Sequence, residues 1–294
     1  MPKASIPTKA SAASALRIIL LQEIAHIKKW RKVAIKGKDP EGVHQLRVSL
    51  RRMRTALKIF SPVLQKEYRR SWRAKLNFFA KELDAARDLD VFLLSHFAGK
   101  AKQSSLHHEL SSQQQTAYQR LAKLLKSKRF KKPVRKLKKQ LKHKKWAEWH
   151  CRHPQQKLNR LAHQRLSALY KNVLQQGKEL KLEDENALHQ LRIACKKLRY
   201  GSDFLHPVLD DVELNRQFIA ALKQLQDTLG EIHDAYVQKQ MQHSLSETAT
   251  RTGAASELEQ ILQTSERNSL AMKARLIEDL NAFSRTECPW RQEQ

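Results

Sequence analysis

Hydrophobic residues recur along the chain at i, i+3, i+4 and i+7, the spacing of one helix face, and no run alternates in the manner of a strand followed by a hairpin turn. Glycine and proline punctuate this pattern at Gly37/Pro40/Gly42, Pro62, Gly99, Pro133, Pro154, Gly177, Pro207 and Gly253. Between these points, segments of roughly 16 to 30 residues read as amphipathic helices. The pattern predicts an all-α protein.

Within it the chain repeats itself. Val43 to Phe60 reads VHQLRVSLRRMRTALKIF, and Leu188 to Leu205 reads LHQLRIACKKLRYGSDFL. Of the first twelve positions, five are identical and six more are conservative, at an offset of 145 residues. A weaker echo pairs ELDAARDLDVF (Glu82–Phe92) with TLGEIHDAYVQ (Thr228–Gln238) at an offset of 146. Two echoes at nearly one offset predict an internal duplication. The single unit of residues 10–290 then divides into an N-terminal half, 10–150, and a C-terminal half, 155–290.

At 100° per residue the first copy separates into two faces. Val43, Leu46, Leu50, Met53, Leu57 and Phe60 share an arc of about 100°, the width of a core-facing stripe. His44, Arg47, Arg51, Arg54 and Lys58 stand opposite. In the second copy Leu188, Leu191, Cys195, Leu198 and Leu205 are apolar, with His189, Arg192, Lys196 and Arg199 on the other side. Cys195 therefore reads as a small core residue. Like charges at helical spacing (Arg47/Arg51, Arg51/Arg54, Arg54/Lys58) each destabilise by about 0.2–0.5 kcal/mol. A solvated basic face is the ordinary reading of such a run, but the recurrence of this one with a histidine in register points to anion binding. Asp39 as N-cap, Pro40 and Glu41 mark one helix start, and Glu183, Asp184 and Glu185 the other. His44 and His189 thus fall near positive helix ends, and the arginines below them can grip oxygens in a bidentate fork.

Charge sharpens this reading. The 294 residues carry 57 Lys and Arg against 29 Asp and Glu, a formal +28. Such self-repulsion opposes compaction, yet 40% apolar content with only 7 Gly and 8 Pro indicates a folded chain. Aromatic content of 6% disfavours base stacking as the main task. Cys151, Cys195 and Cys288 form neither a disulfide framework nor a CxxC pair, which suits a reduced, cytoplasmic compartment. No apolar run approaches the roughly 18 residues of a membrane span, and no export signal is expected.

The paired motifs VHQLRVSLRRMR and LHQLRIACKKLRY, followed by LDAARDLDVF and LQDTLGEIHDAYV, resemble the CHAD domain, the conserved-histidine α-helical domain. The likeness runs over roughly residues 10–285. It implies two pseudo-symmetric helical bundles around a basic groove or channel that binds inorganic polyphosphate. His44, Arg47, Arg51, Arg54, His189, Arg192, Lys196 and Arg199 match the family's basic positions. Some members are fused to a CYTH triphosphatase domain with an ExExK strand motif. Here Glu183-x-Glu185 is followed by Ala187 within helical sequence, so a stand-alone, non-enzymatic binding domain without cofactor or metal is expected, with polyphosphate granules as an extension of its cytoplasmic location. Oligomeric state is left open.

Other features suit rival readings. From Arg120 to Lys145 there are 14 Lys and Arg and no acid, broken at Pro133. This segment reads as a solvated basic stretch between the halves, an outer landing strip for polyanions, or a nucleic-acid contact. His150-Cys151-x-His153 offers metal-capable side chains without a closed zinc pattern. Glu82, Asp84, Asp88 and Asp90 would serve a metal-assisted phosphohydrolase, but salt bridges to the basic stripes explain them more simply. The resemblance also makes the Arg87-Asp88 pair a family feature. With 13 His in the chain, the His233-Asp234 doublet carries little weight. P-loop, GxSxG and HExxH motifs are absent. The main rival is a nucleic-acid-binding basic helical protein, although no recognition helix or aromatic-basic interleaving supports it.

Overall fold

Glycine at the left-handed position and acids at helix starts set the element boundaries. In the computed structural model, residues 6–97, 104–209, 211–251 and 255–290 are described. Eleven α-helices follow among them: α1 (Ala12–Lys36), α2 (Glu41–Ile59), α3 (Lys66–Lys81), α4 (Asp84–Phe97), α5 (Ser105–Lys126), α6 (Lys128–Lys142), α7 (Trp146–His150), α8 (Leu158–Lys178), α9 (Glu185–Leu205), α10 (Val212–Arg251) and α11 (Ala255–Ser284). The described residues form no strand, only the isolated bridges Ser11–Lys157 and Leu64–Cys151. The all-α expectation is met.

Gly37 closes α1 with φ +65°, a conformation costly for residues bearing a Cβ. At the start of α2, Asp39 accepts from the Glu41 N–H at 2.8 Å, and Pro40 already has helical dihedrals. Asp184 caps α9 by accepting from the Ala187 N–H at 2.9 Å. Three expected junctions lie inside helices instead. Gly42 sits in α2 because the backbone of α1 comes too close for a side chain; a Cβ there would lie 2.6 Å from the Ala34 nitrogen. Gly177 lies near the end of α8, where a Cβ would meet Leu280 at 3.0 Å. Pro133 is accommodated within α6, whose start is capped by Ser127. Expected boundaries at Gly99 and Gly253 lie outside the described residues.

The chain divides into two compact units. The described residues of 1–102 and 107–161 form one, and those of 103–106 and 162–294 the other. In the first, α2 packs on α1, α3 and α4, and α6 packs on α1 and α7. Val43, Leu46, Leu50, Met53, Leu57 and Phe60 are all buried, as their shared arc requires. The basic segment is not a loose tether: α6 belongs to this unit and buries Phe130, Leu137 and Leu141 while turning its cations outward. In the second unit, α10 packs on both α9 and α11. Leu188, Leu191, Cys195, Leu198 and Leu205 are buried there, and burial pushes the Cys195 thiol up to about 12, as befits a core residue.

Two buried carboxylates of the first unit have partners. Glu23 of α1, 1% exposed, accepts from the Arg52 Nε of α2 at 2.6 Å, with His26 3.6 Å away. Asp90 is fully buried and accepts from the Tyr118 hydroxyl (2.9 Å) and the Gln114 amide (2.7 Å). His150 stacks on Tyr68 at 4.1 Å and Cys151 is buried, which gives the HCxH string a packing role. No helix among the described residues is long and apolar enough to cross a membrane.

Candidate polyanion-binding site

The apolar stripe of α2 fixes which way the opposite face turns. His44, Arg47, Arg51 and Arg54 are each half-buried, and Lys58, in the last turn, is exposed. Arginines in a purely solvated stripe would be open to water along their length; these are flanked by α3 and α4. Arg47 donates to the Asp84 carboxylate at the start of α4. Burial lowers the Arg54 pKa, and the neighbouring guanidinium groups of Arg51 and Arg73 add to the effect while Asp84 opposes it. Burial also lowers the His44 pKa, reinforced by Arg87 of α4 and by Arg51 and Arg47, against Glu41. Asp84 is held above its usual value by burial, which outweighs the pull of Arg47, Arg54, Lys81 and Arg51.

Basic side chains from three helices thus converge: half-buried Arg47, Arg51 and Arg54 from α2 and Arg87 from α4, exposed Arg73 and Lys81 from α3, and the His44 imidazole beside them. Asp84 lies among them. Coulomb repulsion between half-buried like charges is stronger than in open water. The arrangement therefore favours an anion that supplies several negative charges at once.

The second unit repeats the theme with different partners. His189, Arg192, Lys196 and Arg199 on α9 are half-buried. His189 and His233 face each other with their Nδ1 atoms 3.4 Å apart. Burial lowers the His189 pKa, helped by Arg192 and Lys196. His233 is pushed down to about 3 by burial and then by Arg192, His189 and Lys196. Both rings are therefore neutral near pH 7. Arg192 reaches Asp234 at 3.9 Å. Arg199 donates through Nε to Gln226 of α10 at 2.9 Å, and Gln226 in turn donates to the Cys195 carbonyl at 3.2 Å, so the partner of Arg199 is itself held in place.

Corresponding positions of the two echoes meet in both units. His44 faces Arg87, and His189 faces His233, where Arg87 and His233 share one position of the second echo. Asp84, which pairs with Arg47, corresponds to Gly230; a Cβ at Gly230 would lie 3.8 Å from an Arg192 guanidinium nitrogen. Sequence reasoning passed over Arg73, since nothing in the α3 sequence links it to α2. It also discounted His233, although the second echo aligns that residue with Arg87.

The described residues contain no group of three or more His, Cys, Asp or Glu placed to hold a metal ion. Asp84, one of the acids a metal-assisted reading needs, is engaged by Arg47.

An all-α chain with a basic, histidine-topped stripe in each unit defines the class. The chain belongs to the CHAD domain family, whose model matches residues 18–243. Among solved structures it is similar to the CHAD domain from the plant Ricinus communis, with 26% identity and a TM-score of 0.77 over 96% of this chain and 93% of that chain. It is similar in fold to PptA from Streptomyces chartreusis, with a TM-score of 0.66 and 15% identity over 92% of this chain and 99% of that chain. No curated protein matches the chain.

Proposed function

We propose that this protein binds inorganic polyphosphate without turning it over, through His44, Arg47, Arg51, Arg54, Lys58 and Arg87 in one unit and His189, Arg192, Lys196, Arg199 and His233 in the other. One observation carries the reading: half-buried cations of α2 and α4, with the exposed Arg73 and Lys81 of α3 at their edge, gather around Asp84 at a charge density that a single carboxylate cannot offset. Membership of the CHAD family and the second basic stripe on α9 support it. A linear phosphate chain offers closely spaced oxygens and needs no base contact, which suits arginine forks more than stacking surfaces.

Competition tests the reading directly. With labelled long-chain polyphosphate bound at physiological salt, RNA or DNA at equal phosphate concentration should leave most of the label in place. Displacement at parity would make the partner a nucleic acid.

Asp84→Asn separates binding from catalysis. Removing this carboxylate frees Arg47 and lessens repulsion of an incoming chain, so affinity should rise by about threefold, the scale of one partly exposed ion pair. In a metal-assisted phosphohydrolase, the same change would instead abolish Mg²⁺- or Mn²⁺-dependent release of orthophosphate.

Proton linkage gives a further expectation. His44 and His189 have lowered pKa values, chiefly from burial and then from neighbouring cations. A bound phosphate chain supplies opposite charge and raises them, so binding takes up protons and tightens as pH falls. Because the free values lie below 6.5, tightening continues below that pH. Titration from about pH 8 to about pH 5.5 should show it, and a His44→Gln/His189→Gln variant should flatten the curve while keeping most affinity at the alkaline end. A flat wild-type profile rules out the role of charged histidine.

A further inference from the structure

The second unit contains a cavity of about 290 Å³ between α9, α10 and α11, at the lower end of the range used for small molecules. His189 and His233 form part of its wall, so the cavity opens beside the basic stripe of α9. The remaining lining is of a different kind. Leu229 and Ile232 of α10 and Leu270 of α11 supply apolar surface, and the Tyr236 ring lies near His233 with centroids 6.4 Å apart. Glu266, Ser269 and Lys273 of α11 and Glu185 of α9 add polar and charged groups.

A bare phosphate chain has no use for this cavity. Apolar walls give its oxygens nothing in exchange for lost hydration, and two carboxylates, Glu185 and Glu266, stand in the lining against one lysine, Lys273. A planar heteroaromatic base suits the same groups. Its faces can lie against Tyr236 and the leucines, and its ring N–H or exocyclic amine can donate to a carboxylate. Leu270, 68% exposed and part of the cavity's lining, offers a further apolar surface to a ligand there. Beyond the histidines, Arg192 and Lys196 continue the stripe along α9; from His189 to Lys196 is about 10 Å at the helical rise.

We infer that the cavity and the α9 stripe together form a nucleoside polyphosphate site, with the base against Tyr236 and Leu270 and the phosphate tail on Arg192 and Lys196. This inference rests on the proposal that the stripe binds phosphate chains, and it gives the second unit a base-binding cavity that an inorganic polymer, competing for the same stripe, does not fill. It also gives one unit a selectivity that the charge alone cannot provide.

Calorimetric titration of the full chain with ATP and with inorganic tripolyphosphate tests it. Tripolyphosphate carries more charge, so electrostatics alone makes it the tighter ligand. The expected result is the opposite, with ATP favoured by about tenfold through its base. Tyr236→Ala and Leu270→Gln should erase that preference and leave tripolyphosphate binding unchanged, whereas Lys196→Ala should weaken both. Equal affinities in the wild type, or a parallel loss of both ligands in Tyr236→Ala, would overturn the inference. If long-chain polyphosphate binds but ATP shows no preference, only the base site fails. If no phosphate chain binds at all, the polyphosphate reading fails and the base site with it.

Discussion

Replacing Arg47, Arg51, Arg192 and Lys196 together with alanine should weaken binding of long-chain polyphosphate by about a hundredfold or more at physiological salt. Each loses a charge-assisted contact of roughly 0.7–1 kcal/mol net at a half-buried site, and four such losses give about 3–4 kcal/mol. Counterion release provides an independent readout. By analogy with nucleic acids, each neutralised phosphate contributes about 0.7–0.9 to the slope of log K against log salt, so the variant's slope should fall by about 3. The matched control removes four cations from α6: Lys132, Lys136, Lys139 and Lys142. These project from a helix whose buried side is Phe130, Leu137 and Leu141. Open to water and screened by salt, they should cost no more than about threefold. The reverse ranking would move the site from α2 and α9 to α6. Circular dichroism melts on both variants separate lost contacts from lost fold, a needed check because Arg47 also engages Asp84.

The largest expected effect on stability comes from the arginine beside that stripe. Arg52→Ala should destabilise the first unit by about 3–5 kcal/mol, because it leaves the Glu23 carboxylate buried without its guanidinium partner. Glu23 is 1% exposed and the Arg52 Nε donates to it at 2.6 Å, across the packed faces of α1 and α2. For a unit of about 150 residues the loss corresponds to a fall in Tm of about 10 °C. Pairing Arg52→Met with Glu23→Leu should recover most of it, since apolar groups of similar volume carry no buried charge. Polyphosphate affinity of the folded fraction should stay unchanged in both variants. An Arg52→Ala protein that melts with the wild type would mean that water reaches Glu23 and the pair carries little.

Arg51 and Arg52 are adjacent, chemically identical and lie in one repeated motif, yet their expected phenotypes differ in kind. Arg51 lies among Arg47, Arg54 and Asp84 on the basic face, whereas Arg52, about 100° further round the helix, is turned to α1. The wheel locates the apolar stripe and its opposite; the flank between them is resolved only by knowing which helix packs beside it. Asp90 makes the same point. In sequence it is one of a run of acids that suits metal chemistry. In the fold it is fully buried and holds Tyr118 and Gln114.

The internal echoes were legible at a distance because both helix faces must be kept at once, and their partner positions prove to be neighbours in each unit. His233 was undervalued because a His-Asp doublet is common, while its register with Arg87 held more information than its composition. Arg73 left no trace, since α3 has no echo to compare with.

By itself the sequence determined the helical class, the helix starts near Asp39 and at residues 183–185, and which face of α2 and α9 turns inward. Those properties arise within one or two helical turns, from the 3.6-residue period and the chemistry of unsatisfied N–H groups. Only the tertiary structure decided that the basic face is half-buried, that α3 and α4 add cations to it, that Arg52 serves packing, and that α10 and α11 set an apolar cavity beside His189. Those outcomes depend on which helices become neighbours, and burial by a neighbour is what converts a row of charges into strongly interacting groups with shifted proton affinities.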